Sequence, residues 1–339
     1  MNKVLIGTNE LYRLIDFLDR YDNYVISCHI NPECDALGSQ LALASFLKRR
    51  GKNVFMVDQD PIPQEFSFLP GSKHILGPEA LDEIHYDAVI TVDCSGEDRL
   101  GQLYERYNRK VYINIDHHIS NTLFGEINWV EPEASSVCEM IYRLFKAAKM
   151  DFQKREAINI YAGIVNDTGC FRYPNTTSFT HWAAADLLSV GIDGYAIYQK
   201  IYEHRSFHQI RVIAETLATI SSALRNKVVW MIYSPLGVRD GKAMYDISDE
   251  VLNIARQVKD AEVFLLFKPA GEKRIRINFR SRGKVDVNKV AQMFGGGGHS
   301  TASGCSIEGE MEDVVKMVVD AVKQEIKYVI PSLRHNAGK

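Results

Sequence analysis

Carboxylates and histidines stand at the ends of three short apolar runs. Tyr24–Cys28 leads at once into His29 and then Asn31-Pro32-Glu33-Cys34-Asp35, Ala88–Val92 leads into Asp93, and Val111–Ile115 leads into Asp116-His117-His118. A fourth candidate, Asp167, follows the apolar stretch Ile158–Val165. In open α/β sheets the ligand crevice lies outside the carboxyl ends of the strands, so residues at such ends converge. Glu33, Asp35, Asp93 and Asp167 together carry a charge of −4. Packed within a few ångströms, they could not all stay ionised without compensation. Two divalent cations cancel that charge, and His29 and His117 add neutral nitrogen donors. Mixed carboxylate and imidazole ligation suits Mn²⁺, with Mg²⁺ as the alternative, and excludes a thiolate-type structural zinc site. Two such ions roughly 3.5–4 Å apart form a clamp for in-line displacement at phosphorus. A lone Asp after a strand is more often a helix cap, and Asp35 by itself could be one. The joint arrangement is what points to metal.

The elements that would position these residues alternate. The apolar runs above, with Val54–Val57, are rich in Val and Ile and read as strands buried on both faces, as in a parallel sheet covered by helices. A helix from about Ala36 to Arg50 ends at Gly51. From Ser135 to about Ser222 the pattern is almost wholly helical, and strands return at Val228–Tyr233, Glu262–Phe267 and Arg274–Arg280. The expected fold is α/β, with residues 1–195 as a parallel-sheet catalytic domain. Residues 196–225 would form a helical linker, 226–330 a smaller α/β substrate-binding domain, and 331–339 a flexible tail. The active site is expected in the cleft between the two domains.

The chain has 339 residues, with 40 Lys and Arg against 43 Asp and Glu, a formal charge of −3. Phosphate neutralisation by basic residues supplies most of the affinity for long duplexes. That charge therefore disfavours a long duplex held by bulk charge, but not a short strand held at a few points. No run of 18 apolar residues predicts a membrane span. The N-terminal segment turns polar too early for a signal peptide, and six cysteines without a CxxC pair do not make a disulfide framework. A cytoplasmic, reduced setting is the expectation. Cys28, Cys34, Cys94 and Cys170, all beside motif residues, read as small buried hydrophobes.

His29-Ile-Asn-Pro-Glu-Cys-Asp-Ala-Leu-Gly-Ser39, Val92-Asp93, Asp116-His-His118, Asn166-Asp-Thr-Gly169 and Gly295-Gly-Gly-Gly-His299 with Ala302-Ser-Gly304 resemble, in order and over nearly the whole chain, the DHH phosphoesterase superfamily. The second domain resembles the nucleic-acid-binding domain associated with it. Ala134-Ser-Ser-Val137, Phe171-Arg-Tyr-Pro-Asn-Thr-Thr177 and Phe279-Arg-Ser281 bring the likeness closest to members that act on very short RNA and on 3′-phosphoadenosine 5′-phosphate. The resemblance implies that His29, Glu33 and Asp93 hold one metal, while Asp35, Asp93, His117 and Asp167 hold the other. Asp116 would orient a histidine, and His118 would face the scissile phosphate or leaving oxygen. It also suggests a homodimer. The family usually has Asp where this chain has Glu33, and commonly Gly or Pro where it has Cys34. The first metal site is therefore expected to be the more labile.

In the second domain, Arg274 to Arg280 alternates, so that Ile275, Ile277 and Phe279 would face the core. Arg280 and Ser281 lie in the family-like Phe-Arg-Ser, and guanidinium offers a fork of donors suited to phosphate. Gly295 to Gly298, with Gly296, Gly297 and Gly298 as binding candidates, could form a backbone nest for an anion beside His299. Arg99 is a further phosphate candidate. The expected activity is hydrolysis of short oligoribonucleotides to mononucleotides and of 3′-phosphoadenosine 5′-phosphate to AMP. The alternatives are a phosphodiesterase for cyclic di-AMP or its linear product pApA, and a non-catalytic nucleotide-binding module.

Overall fold

The computed structural model describes residues 9–108 and 111–330. The expected tail, 331–339, lies outside the described residues. The chain divides into two compact units, up to His204 and from Arg205 onward. Among the described residues no helix is long and apolar enough to cross a membrane.

The first unit is built on a parallel sheet of six strands in the order β3-β2-β1-β4-β5-β6. These are β1 (Asn23–Ser27), β2 (Asn53–Val57), β3 (Ile75–Leu76), β4 (Ala88–Val92), β5 (Ile113–Asp116) and β6 (Ile127–Val130). All five residues of β4 are buried, the mark of a strand covered on both faces. Helices α1 (Asn9–Phe17), α2 (Cys34–Arg49), α4 (Val137–Ala147), α5 (Lys154–Asp167), α6 (Ser178–Ser189) and α7 (Gly194–Tyr202) belong to the larger core, with Ile26, Ile90 and Ile115 on the sheet side. The opposite face packs Val25, Val57 and Val89 against Leu103 of the short α3 (Leu103–Arg106) and against Tyr107 and Val111.

Helix ends explain where these elements start. Ser136 accepts a hydrogen bond from the Glu139 N–H at the head of α4, and Thr177 and Thr180 form a reciprocal cap at the head of α6. Glu33 precedes α2 in an extended conformation without capping it through its side chain.

The second unit holds a mixed six-stranded sheet in the order β13-β14-β12-β11-β8-β7. Its strands are β7 (Ser221–Ala223), β8 (Val228–Ile232), β11 (Val263–Pro269), β12 (Arg274–Ser281), β13 (Gly297–His299) and β14 (Ala302–Glu308). A separate hairpin joins β9 (Val238–Arg239) to β10 (Lys242–Ala243). One face packs on α10 (Val287–Met293) and α11 (Met311–Val329), the other on α8 (Phe207–Ala218) and α9 (Ser248–Ala255). Ile275, Ile277 and Phe279 are buried while Arg274 and Arg276 are exposed, so β12 alternates as its sequence requires.

Two expectations need correction. The helical pattern read to about Ser222 breaks at Ala218, and Ser221–Ala223 pairs with β8 instead, because Ile220 and the αL residues Leu224 to Asn226 frame a hairpin. The glycine run is not a free anion nest. Gly297–His299 pairs antiparallel with β14. A Cβ on Gly296 would lie 2.2 Å from the Gly304 carbonyl oxygen, and one on Gly298 2.6 Å from that of Ala302. Close approach of two strands is what requires glycine there.

Candidate metal centre and its chemistry

The carboxyl ends of β1, β4 and β5 bring the first unit's site residues together. Asp93 turns immediately after β4 with φ +55°, a left-handed conformation that Asp tolerates better than most residues but that still costs free energy. Its N–H donates to the Ile115 carbonyl of the adjacent strand at 2.9 Å. The bend leaves the Asp93 side chain buried and facing three histidines. Oδ2 lies 3.5 Å from His29 Nε2, and Oδ1 lies 3.8 Å from His117 Nε2 and 3.6 Å from His118 Nδ1. His117 Nε2 also lies 3.6 Å from Asp167 Oδ2.

Each imidazole is held by its other nitrogen or by a carboxylate. His29 Nδ1 faces the Ile30 carbonyl at 2.7 Å, and His117 Nδ1 faces the Ala134 carbonyl at 3.2 Å. Carbonyls only accept, so both rings carry a hydrogen on Nδ1, and Nε2 is the inward-facing nitrogen that an ion would take once it is deprotonated. His118 differs. Its Nδ1 lies 2.7 Å from Asp116 Oδ1, and its side chain is nearly half exposed.

Asp35 sits in the first turn of α2 and is anchored on the head of α4. Its two oxygens accept the N–H groups of Val137 at 2.7 Å and Cys138 at 2.9 Å. The positive end of a helix favours a carboxylate there. Gly163 of α5 makes the room: a Cβ on it would lie 2.2 Å from Cys138 Sγ and 2.8 Å from Asp35 Oδ1.

The charges are frustrated without a counterion. Burial first, and then the neighbouring carboxylates, push the acid groups of Asp35 and Asp167 upward. Burial also opposes the charge on Asp93, but the His29 hydrogen bond and the facing histidines hold it below the usual carboxylate range. His117 is raised by Asp35, Asp167 and Asp93 against the effect of burial.

A divalent ion fits these residues. One ligand atom from each of Asp35, His117 and Asp167 lies within 4.8 Å of the others, and the same holds for Asp93, His117 and His118. Donors each about 2.0–2.2 Å from one ion lie about 3–4.4 Å apart, which matches the separations around Asp93. Asp93 Oδ1 is buried with no hydrogen-bond partner, the condition a cation relieves. In the second group His118 is the weaker donor, since its Nδ1 is already engaged by Asp116.

The remaining sequence candidates fall into different places. Glu33 is exposed and belongs to neither group of converging donors. Arg99 Nη2 lies 3.1 Å from His29 Nδ1, and the Arg99 carbonyl accepts the Ile30 N–H at 2.8 Å. In the second unit, Arg280 is tied to Asp249 at 3.0 Å and to the Phe279 carbonyl at 3.2 Å. Ser281 is buried with its hydroxyl directed at Glu262. Gly297, Gly298 and His299 are exposed, and Gly296 is half-buried. Cys28, Cys34 and Cys94 are buried and Cys170 is half-buried.

Three residues at this rim escaped the sequence reading. Asn121 donates to Asp116 Oδ2 at 2.6 Å and to Asn114 Oδ1 at 2.7 Å, and Asn114 in turn holds Thr91 and the Cys94 carbonyl, each at 3.0 Å. Asp58 is fully buried at the end of β2, accepting from the Cys28 N–H at 3.1 Å and Gln40 Nε2 at 2.8 Å; burial pushes its carboxyl up to about 6. The strand-end rule that found Asp93 applies equally to Asp58 after Val54–Val57. Asn121 had only its closeness to His118 as a signal.

Comparison with known proteins places the chain in a family. The DHH family N-terminal domain matches residues 23–165, and the DHHA1 domain matches residues 209–327. A Bacillus subtilis protein named bifunctional oligoribonuclease and PAP phosphatase NrnA is 30% identical over 305 residues, covering 87% of this chain and 92% of the relative. The chain belongs to the DHH family. The Thermus thermophilus protein of the same name is 29% identical over 89% of each chain. The crystal structure of an exopolyphosphatase-related protein from Bacteroides fragilis superposes with a TM-score of 0.85 at 28% identity, covering 99% of this chain and all of that one.

Proposed function

We propose that this DHH-family chain is a phosphoester hydrolase that cleaves short oligoribonucleotides to mononucleotides and dephosphorylates 3′-phosphoadenosine 5′-phosphate to AMP. The observation that carries the reading is the buried, partnerless Asp93 Oδ1 facing His117 and His118, with Asp35 and Asp167 alongside. The names of the Bacillus and Thermus relatives supply the substrate class.

Asp35, Asp93, His117 and Asp167 would hold one divalent ion, and His29 with Asp93 the other, Glu33 being the distal and weaker contributor. Divalent ions held by these residues, Mn²⁺ on this reading, would supply Lewis acidity and lower the pKa of an attacking water. The protein's own part is orientation and proton control. Ile30 and Ala134 carbonyls fix the inward nitrogens of His29 and His117. Asp116 orients His118 and, in the metal-free protein, favours its protonated ring, from which it would donate a hydrogen bond to a phosphate oxygen or a proton to the leaving oxygen. Arg99 places a guanidinium beside His29, where it can pair with a phosphate. His299, Gly297 and Gly298 are the second unit's exposed candidates for contact with the nucleotide.

The test is a rate comparison on RNA 2–5-mers, 3′-phosphoadenosine 5′-phosphate, pApA and cyclic di-AMP with Mn²⁺, Mg²⁺ or chelator. The proposal expects the first two to be turned over with Mn²⁺ and neither with chelator. A marked preference for pApA or cyclic di-AMP would move the assignment to the cyclic-dinucleotide pathway chemistry. No turnover of any of them would leave a binding module.

A further inference from the structure

Asn175 lies eight residues beyond Asp167, on the turn before α6, and its side chain bridges two parts of the metal centre. Nδ2 donates to the Ser135 carbonyl at 2.9 Å and to the Asp167 carbonyl at 3.2 Å, and it lies 3.5 Å from Asp167 Oδ2. All three neighbours are acceptors, so the amide orientation is settled by its surroundings. Ser135 adjoins Ala134, whose carbonyl holds His117 Nδ1 at 3.2 Å. Asn175 therefore fastens the residue that presents one ligand to the turn that anchors another.

The need for such a fastener is visible in the backbone. Asp167 is the last residue of α5, and after Thr168 the next three residues, Gly169, Cys170 and Phe171, all take positive φ, at 55°, 59° and 64°. Consecutive left-handed residues with side chains are costly, so the neighbouring structure must over-determine the segment. Thr168 contributes by accepting the Phe171 N–H at 3.0 Å. Among the described residues, only Asn175 ties the segment's far end both to Asp167 and across to the Ser135 turn. Partners of this kind, which do not touch the ion, typically set ligand orientation and metal affinity.

We infer that Asn175 is a positioning residue for the divalent ion shared by Asp35, His117 and Asp167. The inference rests on the proposed function in that Asp167 holds an ion. It would act by fixing the separation of Asp167 and His117, not by contacting the substrate.

The test is calorimetric titration of the metal-free full chain with Mn²⁺ alone, beside thermal melting. Wild type should bind Mn²⁺, and Asp167→Asn should lose the affinity of one site. Asn175→Ala should weaken that same site by about 10–100-fold while the other site keeps its affinity. Added to Asp167→Asn, Asn175→Ala should cause no further loss. Asn175→Ser, which keeps one donor, should be intermediate and guards against a variant that merely misfolds. Under saturating Mn²⁺ the KM of Asn175→Ala should stay near wild type. Unchanged Mn²⁺ affinity in a folded Asn175→Ala, or equal weakening of both sites, overturns the inference while leaving the metal reading intact. Failure of wild type to bind Mn²⁺ overturns both.

Discussion

Asp116 Oδ1 lies 2.7 Å from His118 Nδ1, and that contact separates His118 from the other two histidines of the rim. His29 and His117 lean on carbonyls through Nδ1 and turn Nε2 toward Asp93, whereas His118 leans on a buried carboxylate. The Asp116 hydrogen bond is the largest influence on His118 and, against burial, raises it to about 9. His118 is therefore a cation at neutral pH in the metal-free protein.

Asp116→Asn should lower kcat by about 10²–10³-fold, within the range for general acid catalysis, with Mn²⁺ affinity nearly unchanged. A step that needs protonated His118 fails as pH rises through the pKa of that residue. Removing the interaction that raises it must shift the alkaline limb of the rate profile to lower pH. An unmoved limb contradicts the role. Asn121→Leu, which removes a competing donor from Asp116 Oδ2, should strengthen that pair and move the limb slightly to higher pH.

Asp58 should make the metal-free protein lose stability as pH rises. Its carboxyl titrates at about 6 in the fold against about 3.9 in an unfolded chain. The native state therefore holds the extra proton between those values, and unfolding is favoured progressively across pH 4–6, by up to about 3 kcal/mol. Asp58→Asn removes this slope. Urea unfolding at several pH values in chelator should show the variant gaining on wild type from pH 4 to pH 6 and running parallel above.

Gly163→Ala should destabilise the fold by about 1–3 kcal/mol, the usual cost of overpacking, because its Cβ falls 2.2 Å from Cys138 Sγ. Cys138→Ala should restore much of that stability. It should not restore Mn²⁺ affinity, since the added methyl still crowds Asp35 Oδ1 at 2.8 Å. Recovery of both together would show that Asp35 moves freely.

Mn²⁺ binding should weaken steeply as pH falls. Asp35 and Asp167 are raised and His117 is raised, so each must give up its proton to become a donor. Calorimetry in buffers of different ionisation enthalpy should report proton release on binding, increasing toward acid pH. No proton release near pH 6 would contradict the charge frustration described here.

Much of this was legible in the sequence because parallel strands advertise themselves. A short Val- and Ile-rich run with a carboxylate or imidazole at its end fixes both the element and the rim position of the ligand, and His29, Asp93 and His117 were reached that way. The second sheet was harder. Its glycine run reads equally well as a flexible loop, an anion nest or a tight strand pair, and only the approach of Gly304 and Ala302 decides. Glu33 lies exposed and outside the two groups of converging donors, although its charge still acts on Asp167. Asn121 escaped for another reason, and Asn175, though inside the family-like Phe171–Thr177 segment, was given no role there. A positioning asparagine has no pattern of its own, since its partners are carbonyls and carboxylates brought together by the fold.

The claim beneath all of these is that Asp35, Asp93, His117 and Asp167 gather around divalent ions. Anomalous scattering from crystals soaked in Mn²⁺ tests it most directly. The account predicts one strong peak among those four side chains and a second, weaker peak on the His29 side of Asp93. No peak beside Asp93, or a stronger peak at His29 than at His117 and Asp167, would contradict it.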